Sequence, residues 1–239
     1  MSTIRSILTS LVLCLAAGPV SSVAGDITVV PVLLETQAPG SATALTLRNN
    51  ASREVVVQVR VFRWLQVDGI ESLLPTSEVV VSPPSMKMES AGEHIVRVVR
   101  TAKRPVSGTE SYRVVVDELP RLASEANTVQ LLVRQSIPVF FGESFSKPAE
   151  ITWSLSESGG DLVLTAGNDG DGYLRIADLK LRDQAGRTLS FGDGLVGYVL
   201  SRSRMRWVLP SAGRALKGLV RLDAVSQKGP ISAEISAPR

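Results

Sequence analysis

From Asp26 onward, apolar and polar residues alternate with a period of two in short runs broken by turn residues, and no segment carries the 3.6-residue apolar stripe of an amphipathic helix. In Glu54 to Trp64, Val55, Val57, Val59 and Val61 fall on one face and Gln58 and Arg60 on the other, the signature of a half-buried strand. The longest strand-like run is TVQLLVRQSIPVFF, Thr128 to Phe141. Here Val129, Leu131, Val133, Ile137 and Val139 share one parity, interrupted by Gln135. Pro138 has no amide hydrogen for a ladder, so this run belongs at a sheet edge or a bulge. The alternation predicts further strands at Ile27 to Leu34, Ala42 to Leu47, Glu78 to Ser82, His94 to Val99 and Tyr112 to Glu118. After the polar joint Gly142-Glu143-Ser144 and Lys147-Pro148, it predicts Ile151 to Leu155, Leu162 to Ala166, Leu174 to Arg182, Tyr198 to Leu200, Arg206 to Leu209, Ala215 to Leu222 and Ile231 to Ile235. Asn49-Asn50, Asp68-Gly69, Pro83-Pro84, Ala91-Gly92 and Gly159-Gly160 supply turns between them.

Seven or so strands on each side of a short joint make an all-β chain of two immunoglobulin-like sandwiches, residues 25–143 and 148–239, with a cleft where they meet. Ahead of them, Arg5, the apolar stretch Ile7 to Ala17 and the small residues ending at Ala24 have the order of a secretory signal, so residues 1–24 read as a cleaved leader. The apolar stretch is shorter than the ~20 residues of a membrane-spanning helix, and no later segment supplies one. Cys14, the only cysteine, is preceded by Leu13 rather than the small residue a lipidation site needs, and it leaves with the leader. The mature chain is thus held by its cores, without disulfides.

The formal charge of +3 is spread over interspersed acids and bases with no aromatic-studded basic run, which argues against nucleic acid. His94 is the only histidine, so a zinc site lacks its ligands, a serine triad has little material, and no cofactor is expected. Asn168 to Gly172, NDGDG, lacks the ligand spacing and closing glutamate of a calcium loop and reads as a turn. Arg97 reads as structural.

A long apolar edge strand invites another chain to add to it, and proteins normally blunt such edges. The run at Thr128 to Phe141 is left unblunted, which suggests an edge kept for use. The order of residues resembles the periplasmic pilus-assembly chaperones, the PapD-like family, in its archaic or spore-coat-type branch. The matching pieces are Leu45 to Asn49, Ser82-Pro83-Pro84, Ala91-Gly92 with Val96-Arg97-Val98, Tyr112-Arg113 leading to Asp117-Glu118-Leu119-Pro120, Ser136-Ile137-Pro138-Val139-Phe140, Asn168, Gly170, Arg175-Ile176 and Gly197 to Leu200. The resemblance implies two sandwiches set as an L, a periplasmic location, pilin-like subunits as clients and an outer-membrane usher as the receiver. It makes Val129, Leu131 and Val133 the side chains that enter a client's groove.

The sequence departs from the family at one point. Many relatives hold the client's terminal carboxylate with an arginine on the first strand and a lysine on the donor strand; Leu33 and Pro138 stand at those places. Because antiparallel neighbours run oppositely, the start of the Tyr112 strand lies beside the end of the donor strand, near the cleft. Arg113 is therefore the first candidate anchor, Arg134 the second and Lys147 the third. The competing expectation is a secreted structural or adhesive module built from the same two sandwiches.

Overall fold

The computed structural model describes residues 26–120, 132–212 and 215–238. The described residues form eighteen strands and no helix. In chain order the first sandwich comprises β1 (Ile27–Val30), β2 (Leu34–Gln37), β3 (Ala42–Asn49), β4 (Val55–Val67), β5 (Ile70–Pro75), β6 (Val79–Ser82), β7 (Ser85–Met88), β8 (Glu93–Arg100), β9 (Thr109–Glu118) and β10 (Arg134–Gly142). One sheet has the order β1-β3-β8-β6; the other runs β2-β10-β9-β4-β5, with β7 also pairing β4. The second sandwich comprises β11 (Ile151–Ser158), β12 (Asp161–Asn168), β13 (Leu174–Asp183), β14 (Thr188–Ser190), β15 (Leu195–Val199), β16 (Ser203–Leu209), β17 (Leu219–Ser226) and β18 (Gly229–Ser236). Its sheets run β11-β12-β16 and β14-β13-β17-β18, with β15 pairing β13.

Parity decides which side chains face inward. Val55, Val57 and Val59 of β4, Tyr112, Val114 and Val116 of β9, and Ile137, Val139 and Phe141 of β10 are buried together against Leu45, Leu47, Val96 and Val98 of the facing sheet. Leu162, Leu164, Ile176, Leu181, Val220 and Leu222 do the same in the second sandwich. Two buried asparagines close strands on these cores. Asn49 donates through Nδ2 to the carbonyls of Arg53, Met88 and Glu89 and accepts from Ala51 N. Asn168 donates to the carbonyls of Gly172 and Leu200 and accepts from Glu150 N and Gly170 N, so the NDGDG segment is organised by an asparagine cap.

Several expected boundaries differ. Ile27 to Leu34 is two strands in different sheets: β1 pairs β3, and β2 pairs parallel to β10. Pro31, which offers no amide hydrogen, falls at the crossing. Among the described residues the long run forms a strand from Arg134, with Leu132 and Val133 preceding it; Thr128 to Leu131 lie outside the described residues. The expected Ala215 to Leu222 strand starts later, as Leu219–Ser226. The strands β5, β7 and β14 went unforeseen, being short edges whose side chains are mostly exposed.

The first sandwich also contains a polar network. Arg100 makes a two-pronged contact with Glu110, Nε to Oε2 at 2.8 Å and Nη2 to Oε1 at 2.9 Å, with both side chains buried. Arg104 bonds Glu110 and also both carboxylate oxygens of Glu78, each at 2.8 Å. Burial pushes the Glu110 carboxyl up, but hydrogen bonds from Arg100, Arg104 and Tyr112 outweigh it and hold its pKa at about 2.

Candidate functional site: an open strand flank and the cleft at its end

β10 pairs with β9 along its whole length, from Arg134 opposite Asp117 to Gly142 opposite Thr109. On its other flank β2 covers only Val139 to Gly142. Among the described residues, Arg134 to Pro138 therefore have a neighbour on one side and an unpaired backbone on the other. The inward parity of Ile137, Val139 and Phe141 continues upstream through Gln135 to Val133, which is half-buried. Among the described residues, the furthest upstream backbone contact to β9 is Glu118 N to Val133 O at 3.4 Å. Upstream in the sequence the same parity is carried by Leu131 and Val129, which lie outside the described residues.

The outward face of the sheet is ordered in rows across β4, β9 and β10. Gln58, Asp117 and Arg134 form one row, Arg60, Val115 and Ser136 the next, and Phe62, Arg113 and Pro138 the next towards the joint. Asp117 is gripped from both sides, by Arg60 Nη2 at 2.6 Å and Arg134 Nε at 2.5 Å. This bracket ties the start of β10 to β9 and β4. Burial alone would raise the Asp117 pKa, yet the two arginines lower it.

At the other end of the open flank lies a cleft of about 490 Å³, walled by β9 and β10 on one side and by β13 and β15 on the other. Arg113 projects into it with its guanidinium carbon 3.7 Å from the centre of the Trp64 ring and 5.4 Å from that of Tyr198. Its one hydrogen bond among the described residues is a long one, Nη1 to Ser136 O at 3.4 Å. Burial depresses its pKa, and the charge of Glu71 opposes that only in part. Arg175 lines the same cleft from the second sandwich, and among the described residues the lining includes no carboxylate.

The two sandwiches are locked at this cleft by an aromatic cluster. Trp64, Phe140, Tyr173, Tyr198 and Leu200 are buried together. Phe140 stacks on Tyr173 at 3.9 Å, and Trp64 meets Tyr198 edge-on at 5.3 Å. Gln66 is a buried two-way clamp, donating from Nε2 to Tyr198 O at 2.7 Å and accepting at Oε1 from Leu200 N at 3.0 Å. Tyr173 bonds Glu35 at 2.9 Å. The tight Asp68-Gly69 turn brings Gly69 O within 3.1 Å of Arg206 N, an approach that a Cβ at Gly69 would obstruct by striking the Arg206 side chain.

The expected site residues thus separate. Arg113 lies in the cleft directly opposite Pro138, as the antiparallel argument required. Arg134 lies four residues along β10 at the far end of the open flank, paired to Asp117. Lys147 sits in the joint and bonds Glu143 at 2.7 Å and Asp171 at 3.3 Å. Val133 is at the mouth of the open flank, whereas Val129 and Leu131 lie outside the described residues. Sequence reasoning missed Trp64, Gln66 and Phe140. Their signal was parity: each lies on the outward face of its strand, where a large apolar or buried side chain requires a second surface to cover it.

Among the described residues, two sandwiches thus meet at a cleft that two arginines line, with one flank of β10 left unpaired above it. Residues 26–143 match the family model for "Pili and flagellar-assembly chaperone, PapD N-terminal domain". The first domain belongs to this family, one of assembly chaperones rather than enzymes. Among solved structures it resembles the chaperone in the CsuC–CsuE chaperone–tip subunit pre-assembly complex of the archaic Csu pili of Acinetobacter baumannii, at 24% identity and a TM-score of 0.69, over 90% of this chain and 100% of that one. It also resembles the structure of the Salmonella enterica SafA pilin with the SafB chaperone (16% identity, TM-score 0.61, 89% and 98% covered) and the YadV chaperone (16%, 0.60, 88% and 98%). No curated protein matches the chain in sequence.

Proposed function

We propose that this protein is an exported, periplasmic chaperone that binds pilin-like subunits lacking a strand, lends them the run 129–138, and delivers them to an outer-membrane usher. The leader at residues 1–24 is removed on export. The observation that carries the reading is the open flank of β10, whose inward apolar face is continued by Val133, Leu131 and Val129 in the sequence. Full burial of these three side chains in a client is worth on the order of 5–9 kcal/mol as an upper bound. Backbone pairing along the flank adds roughly 0.5–1.5 kcal/mol per bond. The likeness to CsuC and SafB, each in a structure with its own subunit, supports the client class.

Direction follows from charge. A strand added along this flank meets β2 at Val139, so one of its ends arrives at the cleft. Arg113 waits there with no carboxylate partner among the described residues. A chain end bearing a carboxylate is attracted and one bearing an amine repelled, so the client strand runs parallel to β10 with its C-terminus on Arg113. That pairing sets register more than strength, since partly exposed ion pairs are worth about 0–1 kcal/mol.

Co-expression with a strand-lacking subunit tests both parts. Leu131→Glu should abolish recovery of soluble subunit while leaving the chaperone folded, and equal recovery with wild type would refute the lent strand. Arg113→Ala should lower complex yield without lowering the melting temperature; unchanged yield would remove Arg113 from the site.

A further inference from the structure

We infer that Arg60 and Arg134, at the end of the open flank far from the cleft, receive an acidic side chain of the client strand, carried on the fourth residue before its last. The inference deepens the reading given above and rests on it: the client strand runs parallel to β10 and ends at Arg113. What it adds is a side-chain contact at the other end of the flank.

A pocket of about 360 Å³ lies where β4, β9 and the start of β10 meet, and Arg60, Asp117, Leu119, Leu132 and Arg134 are among its walls. Two carboxylates reach this pocket, and they belong to opposite faces of β9. Glu118 has the inward parity and is buried; Arg53, which also holds Asp26, bonds it at 3.4 Å. The charges that act on Glu118 are those of Asp26 and Arg53, and the charges that act on Asp117 are those of Arg60 and Arg134. On the outward face, then, one carboxylate serves two guanidiniums. Donors remain after it is shared. Arg134 bonds Asp117 through Nε, which leaves the terminal nitrogens of its fork unmet among the described residues. Arg60 bonds through Nη2, and its Nε is buried without a partner. Asp117 also fixes both guanidiniums in place, so little side-chain freedom remains to be lost when an anion arrives. The apolar walls at Leu119 and Leu132 keep part of the water away from the contact.

The position read on the client follows from the sheet. Arg134 stands opposite Asp117, and Pro138 stands opposite Arg113, so the two sites are separated by four residues of β10, about 13 Å at ~3.3 Å per residue. In a parallel strand on the open flank, the residues beside Pro138 and Arg134 are the same four positions apart and place their side chains on the same outward face. A client whose last residue reaches Arg113 therefore brings the fourth residue before it alongside Arg134. The third residue before the last turns to the other face. This contact gives the flank a register that its aliphatic residues alone do not supply. A slip of two residues keeps every apolar side chain on the correct face, but it carries an acidic side chain away from Arg134.

Three N-acetylated nonapeptides of alternating valine and threonine, all free acids, test the inference by titration into the mature chain. One has glutamate at the fourth residue before the last, one has glutamine there, and one has glutamate at the third. Wild type should bind the first about fivefold more tightly than the second at low salt, and the two should come within about twofold at high salt. Arg134→Gln should bring them within about twofold at low salt, with affinity for the glutamine peptide and the melting temperature unchanged, and Arg134→Lys should recover part of the preference. Arg113→Gln should weaken both peptides alike and keep their ratio. Equal binding of the glutamate and glutamine peptides to wild type overturns the inference and leaves the lent strand standing. An equal gain from glutamate at the third residue before the last overturns it too, because general attraction to a basic surface has no register. Failure of all three peptides to bind wild type removes the lent-strand reading itself.

Discussion

Glu110 is a carboxylate inside a hydrophobic sandwich, stable there because three side chains donate to it. Its pKa of about 2 lies below the ordinary 4.5, so the folded protein favours the ionised form. The resulting stabilisation, on the order of 3 kcal/mol, is complete above about pH 4.5 and is lost as pH falls towards 2. Glu110→Gln leaves Arg100 without its two-pronged partner and should cost about 3–5 kcal/mol in urea unfolding at pH 7. The same variant should show a shallower loss of stability between pH 4.5 and 2 than wild type; an equally steep acid limb would mean that other carboxylates set it. Both members of this pair were legible in principle. Arg100 shares parity with Val96 and Val98, and Glu110 with Tyr112, Val114 and Val116, so alternation alone directs both charges inward. Arg97, read as structural, is on the exposed face of β8. The position of Arg113 beside Pro138 was legible because strand direction is a property of neighbours rather than of composition.

At the scale of elements, the proposal asks β10 and the residues just before it to serve two cores with one face. Ile137 and Val139 complete the protein's own sandwich, and Val133 stands where that sandwich stops covering the strand. Identical chemistry at positions four residues apart should therefore have opposite consequences. Ile137→Glu buries an unpaired charge in the first core and should unfold that domain, read as loss of cooperative thermal melting. Val133→Glu should leave the melting temperature within about 2 °C of wild type and abolish subunit capture, since mildly exposed positions contribute little to stability. A large drop in melting temperature for Val133→Glu would place that residue in the protein's own core and remove it from the lent strand. Alternation located the long strands because their inward residues are nearly all aliphatic. It failed for β5, where five of six residues are exposed and no apolar face exists to be seen. It also fused β1 with β2, because a strand that changes sheets at Pro31 keeps an apolar character on both sides of the break.

For the whole molecule, the question is what fixes the cleft that the two arginines line. The joint itself is short, and its ion pairs among Glu143, Lys147, Asp171 and Arg202 are partly exposed, so they steer the domains weakly. The buried contacts weigh more: the Trp64–Phe140–Tyr173–Tyr198 cluster excludes water, and Gln66 closes it by occupying both a donor and an acceptor of the second domain's backbone. None of this could be read from composition, because each residue looks like a solvent-facing position until a second surface is brought against it. Removing Gln66 leaves Tyr198 O and Leu200 N without partners in a dry site, at a cost of about 1–3 kcal/mol for each unmet group. Most of that cost falls on the contact between domains rather than on either core. Gln66→Ala should therefore separate thermal unfolding into two calorimetric transitions where wild type gives one, and should widen the distribution of sizes seen by small-angle X-ray scattering. Its amide exchange should rise at Leu200 while the amides of Val114 and Val116 in the first core remain protected. A single, uniformly lowered transition would instead make Gln66 part of a core that both domains share, and the cleft would then be as rigid as the sandwiches themselves.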